Sequence, residues 1–137
     1  MALWLFKEEP GEYSFADLQR DRKTLWTGVR NPLARQHLRQ VRRGDRVLFY
    51  HTGKEKAVVG EMRAAADAKP APAEADPRAV VVEVEAVRPL ARPVPLTRIK
   101  ADPLLRDWDL VRLPRLSVLP VTEEQWLRVE ELSRQPG

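Results

Sequence analysis

The stretch WTGVRN at residues 26–31 combines residue types that suit the recognition of a flat, polar ligand. Trp26 offers an aromatic face on which a nucleobase can stack, a contact worth roughly 1–3 kcal/mol. Gly28 lets the backbone adopt a positive φ or approach a ligand closely. The Asn31 amide can pair with a base edge, although Asn31 before Pro32 also predicts a helix start with the asparagine as N-cap. The residues alone leave Trp26 open to two interpretations, core packing and ligand stacking, and packing is narrowly favoured.

Basic side chains are concentrated between residues 20 and 46. This segment holds nine arginine and lysine residues against two aspartates, whereas the whole chain has a net charge of +4. Such a surplus is typical of a surface that binds a polyanion, because each neutralised phosphate releases counterions. In the helix predicted after Asn31, the spacing of Arg35, Arg39 and Arg42 predicts a basic ridge that binds phosphates. A solvated arginine-rich face explains the same pattern equally well.

Three further polar residues stand where predicted strands end. Lys7 and Glu9 follow the first apolar run, where they could form a surface ion pair or where Glu9 could accept from an exocyclic amine. His51 ends the run RVLFYH and is more typical of a structural histidine than of a catalyst. No catalytic triad and no metal-ligand spacing is apparent. Both strand ends and WTGVRN hold polar or aromatic residues where their elements finish, which predicts one cleft between the three segments. Such a cleft requires the Trp26 ring to be open to solvent.

Length and composition predict a single domain over residues 1–137. With 43% hydrophobic residues, the chain is long enough to bury a core of its own. Its apolar runs are far shorter than the roughly 20 residues that cross a bilayer, and its N-terminus lacks the features of a signal peptide. The absence of cysteine excludes disulfides and thiolate metal sites. We therefore expect a soluble, cytoplasmic monomer without metal or cofactor.

Hydrophobic periodicity predicts an α+β protein, a small mixed β-barrel of five or six strands with three or four short helices at its rim. The predicted strands are ALWLFK, RVLFYH, AVVGEMRAA, AVVVEVEAV and RLSVLPV. Helices are predicted to start at the N-caps Ser14, Asn31, Thr97 and Thr122. LWTGVR is interpreted as a connection, DAKPAPAEADP as an exposed loop, and Trp4 and Trp126 as core residues.

Four stretches in one order resemble the EVE domain family: KEEP after an apolar strand, WTGVRN before a helix, GDRVLFYHT, and RLSVLPV. They span almost the whole chain, and this order is hard to meet by chance. The resemblance implies a PUA-like β-barrel, related to PUA, YTH and ASCH domains, without known catalytic machinery. It also implies nucleic acid as the partner, DNA ahead of RNA, and recognition of a modified base, particularly modified cytosine, after base flipping.

Carried over by position, the resemblance implies a base pocket formed by Lys7, Glu9, Trp26, Gly28, Val29, Arg30, Asn31, His51, Thr52, Arg115 and Ser117. Two positions depart from the family pattern. Glu8 stands where a small hydroxyl residue is usual, and Thr52 stands where serine is usual. The larger acidic group and the additional methyl bear on which base fits, so the ligand cannot be copied from relatives.

Two alternatives remain open at this point. The first is an RNA-binding domain that reads modified RNA, because recognition of the 2′-hydroxyl depends on geometry that a sequence does not give. The second is an ASCH-like enzyme that processes a nucleoside. An enzyme needs a base or nucleophile near the pocket, and only Lys7, Glu9 or His51 could serve.

Overall fold

The computed structural model describes residues 1–72 and 76–136, which contain seven strands and five helices. The strands are β1 (Leu3–Glu8), β2 (Lys23–Trp26), β3 (Arg46–His51), β4 (Ala57–Ala64), β5 (Lys69–Pro70), β6 (Val80–Pro95) and β7 (Val118–Pro120). The helices are α1 (Phe15–Asp21), α2 (Pro32–Leu38), α3 (Leu96–Ala101), α4 (Asp109–Arg112) and α5 (Glu123–Arg134). The predicted α+β class and barrel-like sheet are confirmed, with slightly more elements than expected.

One curled sheet organises the molecule, in the order β2-β6-β4-β3-β1-β7, with β5 paired to β6. β1 and β3 lie parallel in its centre, and the other pairs are antiparallel. The register between β1 and β3 runs from Leu3 opposite Arg46 to Glu8 opposite His51. Both central strands therefore end on the same side of the sheet. The polar residues at their two carboxyl ends lie next to each other there.

Side-chain caps start three of the helices where the sequence predicts them. Ser14 and Thr122 each form a capping box, and Asn31 Oδ1 accepts a hydrogen bond from the Ala34 N–H at 3.0 Å. These caps satisfy N–H groups that the first turn of a helix leaves without an intrahelical acceptor. The prediction for Thr97 is wrong, because this residue lies inside α3, which has no side-chain cap.

Three segments form strands that the sequence does not predict. LWTGVR is not wholly a connection, because β2 pairs antiparallel with β6, placing Trp26 opposite Val82. β6 also continues through three prolines to Pro95, with register shifts between β4 and β6 that accommodate residues lacking an N–H donor. Within the proline-rich stretch, Lys69–Pro70 forms β5, and residues 73–75 lie outside the described residues.

Aromatic rings fill the inside of the curled sheet. The rings of Phe15 and Trp26 both pack against Phe49, and Phe6 packs against Trp26. In each pair the ring centroids are 5.4 Å apart. Trp4 and Trp126 are also buried, which confirms the prediction that they are core residues. Among residues 1–72 and 76–136, no helix has the length and apolar character that crossing a membrane requires.

Candidate nucleic-acid interface

Trp26 is the site residue whose surroundings differ most from the prediction. It is the last residue of β2, and only 4% of its surface is exposed. Its ring packs against Phe6 and Phe49. Because side chains alternate across a strand, Trp26 faces the aromatic core while Leu25 faces outward and is exposed. The prediction of a solvent-open stacking platform is therefore wrong, and the indole packs beneath the strand ends.

Lys7 connects the end of β1 to the segment that precedes β7. Its Nζ donates to the Pro114 carbonyl at 3.0 Å and lies 5.6 Å from the centre of the Tyr50 ring. Its backbone N–H donates to the Ser117 carbonyl at 2.9 Å. Burial lowers the pKa of Lys7 to about 8. The ammonium therefore sits in a partly desolvated position beside the chain that carries Arg115.

Asn31 and Arg115 face a common cavity of about 300 Å³, which we call the rim cavity. It is lined by Asn31, Leu33 and residues 112–116. The Asn31 Oδ1 is occupied by the helix cap, which leaves the amide NH₂ as the donor for a ligand. Ligand sites commonly have a volume of this size or larger. Asn31 and Arg115 therefore line the same cavity, and Lys7 contacts its lining residue Pro114 and bonds to Ser117 just beyond the lining segment.

Glu8 and Glu9 lie beside each other at the carboxyl end of β1. Burial raises the pKa of Glu8, and the neighbouring carboxylates of Glu12 and Glu9 add to the rise, against a hydrogen bond from the Glu9 N–H. Glu9 Oε2 accepts from the Gly11 N–H at 2.7 Å, so Glu9 is held by backbone and not by the suggested ion pair with Lys7. The Thr52 N–H donates to the Glu8 carbonyl at 2.9 Å. This end of the sheet is therefore acidic and tightly hydrogen-bonded.

Both ring nitrogens of His51 have partners. Nε2 accepts from the Phe15 N–H at 3.0 Å, and Nδ1 lies 2.7 Å from Glu55 Oε1. Because Nε2 acts as an acceptor, the ring proton belongs on Nδ1, where it is donated to the carboxylate. His51 is only 8% exposed. Its ring connects the start of α1 to the end of β3 through the Phe15 N–H. This arrangement is that of a structural histidine, and it lies at the same sheet edge as Glu9.

Gly28, Val29 and Arg30 line a different cavity, of about 310 Å³, on the outer side of β2. Gly28 has a φ of +78°, the left-handed conformation that glycine adopts without strain. Val29 is buried, and Arg30 is exposed. The structure therefore divides the predicted base pocket, with Asn31 facing the rim cavity and Gly28, Val29 and Arg30 facing the outer one.

The predicted basic ridge does not form as one helical face. Arg35 is only 9% exposed, because its Nε donates to the Val29 carbonyl at 2.7 Å and its Nη1 pairs with Asp76 at 2.9 Å. α2 ends at Leu38, so Arg39 and Arg42 lie beyond it. These two arginines are exposed, and the prediction that Arg35 contacts phosphates is wrong because its guanidinium holds the WTGVRN segment in place.

The sequence did not identify Pro114, Arg112 or Tyr50 as neighbours of the site. Pro114 supplies the carbonyl that holds Lys7, and Arg112 lines the rim cavity. The only available signal was the alternation of arginine and proline in VRLPRL. Within the described part of the chain, no group of three His, Asp or Glu side chains is arranged to hold a metal ion.

A curled sheet with short helices at its rim and polar residues at the ends of its central strands defines a PUA-like protein. An ASCH protein from Zymomonas mobilis has this fold at 16% identity, with a TM-score of 0.68. The model of the EVE domain matches residues 2–132, and the chain belongs to this family.

Relatives of the chain include thymocyte nuclear protein 1 from Gallus gallus, which is 31% identical over 90% of this chain. The chain spans 65% of the length of that protein, slightly less than two-thirds. A solved structure from Rhodopseudomonas palustris is 39% identical, with a TM-score of 0.91, and covers 97% of this chain and 93% of its own. The human THYN1 protein in complex with DNA containing 5-methylcytosine is 29% identical, with a TM-score of 0.91 over 100% of both chains.

Proposed function

We propose that this chain is a non-catalytic DNA-binding domain that acts as a monomer and reads a modified, cytosine-derived base. The observation that carries the proposal is the rim cavity between Asn31 and Arg115, in a chain that matches the DNA-bound human THYN1 protein over its full length. The basic surplus between residues 20 and 46 fits a polyanionic partner.

In this proposal the polar groups around the rim cavity recognise the base edge. The Asn31 NH₂ group and the Arg115 guanidinium are donors suited to the ring nitrogen and carbonyl of a cytosine. Glu9 and Thr52 complete the mouth as acceptors for an exocyclic amine, and Lys7 contributes positive charge. Trp26 supports the floor from inside the core. Extruding the base costs a few kcal/mol, which these contacts and the phosphate contacts of Arg39 and Arg42 have to offset.

The side chains that could act as catalysts already have hydrogen-bond partners within the protein, which favours a binding function over an ASCH-like reaction. Both nitrogens of His51 are engaged, by Phe15 and Glu55, so the ring is not free to take a proton from a substrate. The Lys7 ammonium donates to a carbonyl, and the Glu9 carboxylate accepts from a backbone N–H. Each group that could act as base or nucleophile thus has a supporting role in the protein.

Equilibrium titrations with matched oligonucleotides test this function. We expect DNA with one central 5-methylcytosine to bind more tightly than the same DNA with cytosine, and more tightly than the matched RNA. Measurements at several salt concentrations separate the base contribution from the phosphate contribution. Equal affinity for modified and unmodified DNA would contradict base reading, and tighter binding of modified RNA would favour an RNA reader.

A further inference from the structure

A second cavity lies outside the aromatic core, on the face of β2 that carries Leu25. This cavity has a volume of about 310 Å³. A smaller cavity of about 150 Å³ neighbours it, because Ala79 and Val80 line both. We call the two neighbouring cavities the outer groove. Leu25 is 43% exposed, between the half-buried Thr24 and the buried Trp26. An apolar wall left open in this way, next to the WTGVRN segment, is the feature that the proposed base site does not explain.

Cations surround this apolar wall. Arg30 lines the larger cavity, and Arg39, Lys69 and Arg78 line the smaller one. All four residues are exposed. Arg39 is positioned by a hydrogen bond from its Nη2 to the Arg78 carbonyl at 3.0 Å. The outer groove thus combines an apolar floor with a basic rim, the combination that single-stranded nucleic acid uses for its bases and its phosphates.

The floor of the outer groove is held rigidly by Arg35. Its guanidinium bonds to the Val29 carbonyl and pairs with Asp76, which fixes the loop on one side and residue 76 on the other. Asp76 is therefore neutralised, so it does not oppose the charge of the rim.

The two sites are separated by a very short stretch of chain. Arg30 faces the outer groove and Asn31 faces the rim cavity. The lining of the two sites is therefore continuous along the backbone, from Arg30 in the outer groove to Asn31 in the rim cavity. An oligonucleotide whose read base enters the rim cavity can therefore place its next nucleotide in the outer groove.

We propose that the outer groove binds the unpaired nucleotide adjacent to the base that is read, with its phosphates on Arg30, Arg39 and Arg78 and its base against Leu25. This inference rests on the proposed function, because it assumes that the rim cavity holds the read base. It makes the protein a reader of two successive positions on one strand. The outer groove then gives a preference for the flanking base.

Two exposed arginines test the phosphate contacts. The probes are a single-stranded DNA 9-mer with one central 5-methylcytosine and the free nucleoside 5-methyl-2′-deoxycytidine. We expect Arg39→Gln and Arg78→Gln each to weaken 9-mer binding and to lower the slope of log affinity against log salt concentration by about one. Between roughly 50 and 200 mM salt, each variant should therefore lose about threefold less affinity than the parent does. Nucleoside binding should stay unchanged. Arg134→Gln is the charge-matched control. Arg134 is the last residue of α5, and this end of α5 contacts α3 and not the outer groove.

Crosslinking tests the apolar wall. A 5-iododeoxyuridine placed next to the methylated base should crosslink to peptides that contain residues 25–30 or 79–81. Leu25→Gln should reduce that yield several-fold without unfolding the protein, since Leu25 is half-exposed. The same photoreactive base placed four positions away is the control and should give little crosslinking to these peptides.

The outcomes separate this inference from the proposed function. If Arg39→Gln and Arg78→Gln behave like Arg134→Gln, or if the crosslinks map elsewhere, the outer groove is not on the strand path and the base site can still stand. If the groove variants weaken 9-mer binding but the protein does not prefer the methylated base, base reading fails and the groove stands as a strand-binding surface. If neither probe binds, both proposals are overturned.

Discussion

The two ends of the central strands differ in how their polar groups are used. At the amino end, the buried Asp45 carboxylate accepts from the Ala2 N–H at 3.1 Å, the Trp4 indole at 3.0 Å and the Arg42 N–H at 2.9 Å. Glu61, also buried, pairs with Arg46 at 2.8 Å and with Arg88 at 3.1 Å. The charges at this end satisfy one another, so this end is scaffold.

At the carboxyl end, several polar groups are only partly used by the protein. Asn31 uses its Oδ1 for the helix cap and retains its NH₂ group, and the Lys7 ammonium is held by one carbonyl and one ring. Arg115 is exposed at the edge of the rim cavity. The two central strands thus have a closed network of charges at one end, and donors that the protein uses only in part lie near the other end.

Trp26→Ala should have the largest effect on stability. The comparison between the two ends fails if Trp26 serves only ligand binding and does not support the core. The ring is buried against Phe6 and Phe49, so its removal should lower the free energy of unfolding by about 3–5 kcal/mol. Denaturant unfolding measures this change. Leu25→Ala, at the exposed neighbour, is the control and should cost much less. A small loss of stability for Trp26→Ala would show that the ring does not support the core.

Asp45→Ala tests the closed network at the amino end. The variant leaves the buried Trp4 indole N–H without its acceptor and removes two further backbone contacts, so we expect a loss of about 3 kcal/mol. Asp67→Ala removes one exposed carboxylate that accepts from the Arg43 N–H and is the control. Thermal melts compare the two. The preference for the modified base, corrected for the folded fraction, should be the same as that of the parent for both variants.

Asn31→Asp tests the donor at the carboxyl end without removing the helix cap. Aspartate caps a helix as well as asparagine does, so the melting temperature should hardly change. The amide donor is replaced by a carboxylate, and we expect the preference for a cytosine-derived base over other bases to fall by about 1–3 kcal/mol. Paired melts and titrations measure both quantities. Unchanged base preference would mean that Asn31 is scaffold like Asp45.

The smallest expected effect is a pH dependence of stability and DNA affinity that arises from the titration of Lys7. Its pKa of about 8 in the folded protein lies below the ordinary value of 10.5, so the unfolded chain binds more protons between these two values. The free energy of unfolding should therefore gain a contribution as pH rises from about 8 to about 10.5. Over pH 7 to 9 the ammonium loses its charge, and DNA affinity should decline slightly.

Lys7→Arg provides the matched comparison, because arginine keeps its charge over this range. Titrations of DNA from about pH 7 to pH 9 should give a flatter profile for Lys7→Arg than for the parent. Identical profiles would show that the Lys7 charge does not act on the bound nucleic acid.

Local signals in the sequence predicted the helix caps and the apolar strands, because these depend on neighbours within four residues. Ser14, Asn31 and Thr122 cap helices as their spacing indicates. β2 was missed because four residues show too little alternation to define a strand. The burial of Trp26 depends on that strand, since its pairing with β6 sets the direction of the ring.

The contacts of the predicted site residues were harder to predict from the sequence than their positions at the ends of elements. Asn31 and Arg115 line one cavity, and Lys7 bonds to the Pro114 carbonyl beside it. Arg35 could not be separated from Arg39 by spacing alone, because its burial depends on Val29 and Asp76, which approach it from other segments. Likewise, periodicity does not show that Gly28 and Asn31 face different cavities.

Mapping of backbone amide shifts during a titration with DNA containing 5-methylcytosine tests the central claim most directly. If the carboxyl end of the central strands reads the base, amides near Lys7, Asn31, Arg115 and Ser117 should shift, and those of Lys7 and Asn31 should respond to methylation of the base. Amides around Asp45 should not respond to methylation of the base. Methylation-dependent shifts around Asp45, with none at Asn31 or Arg115, would contradict the account.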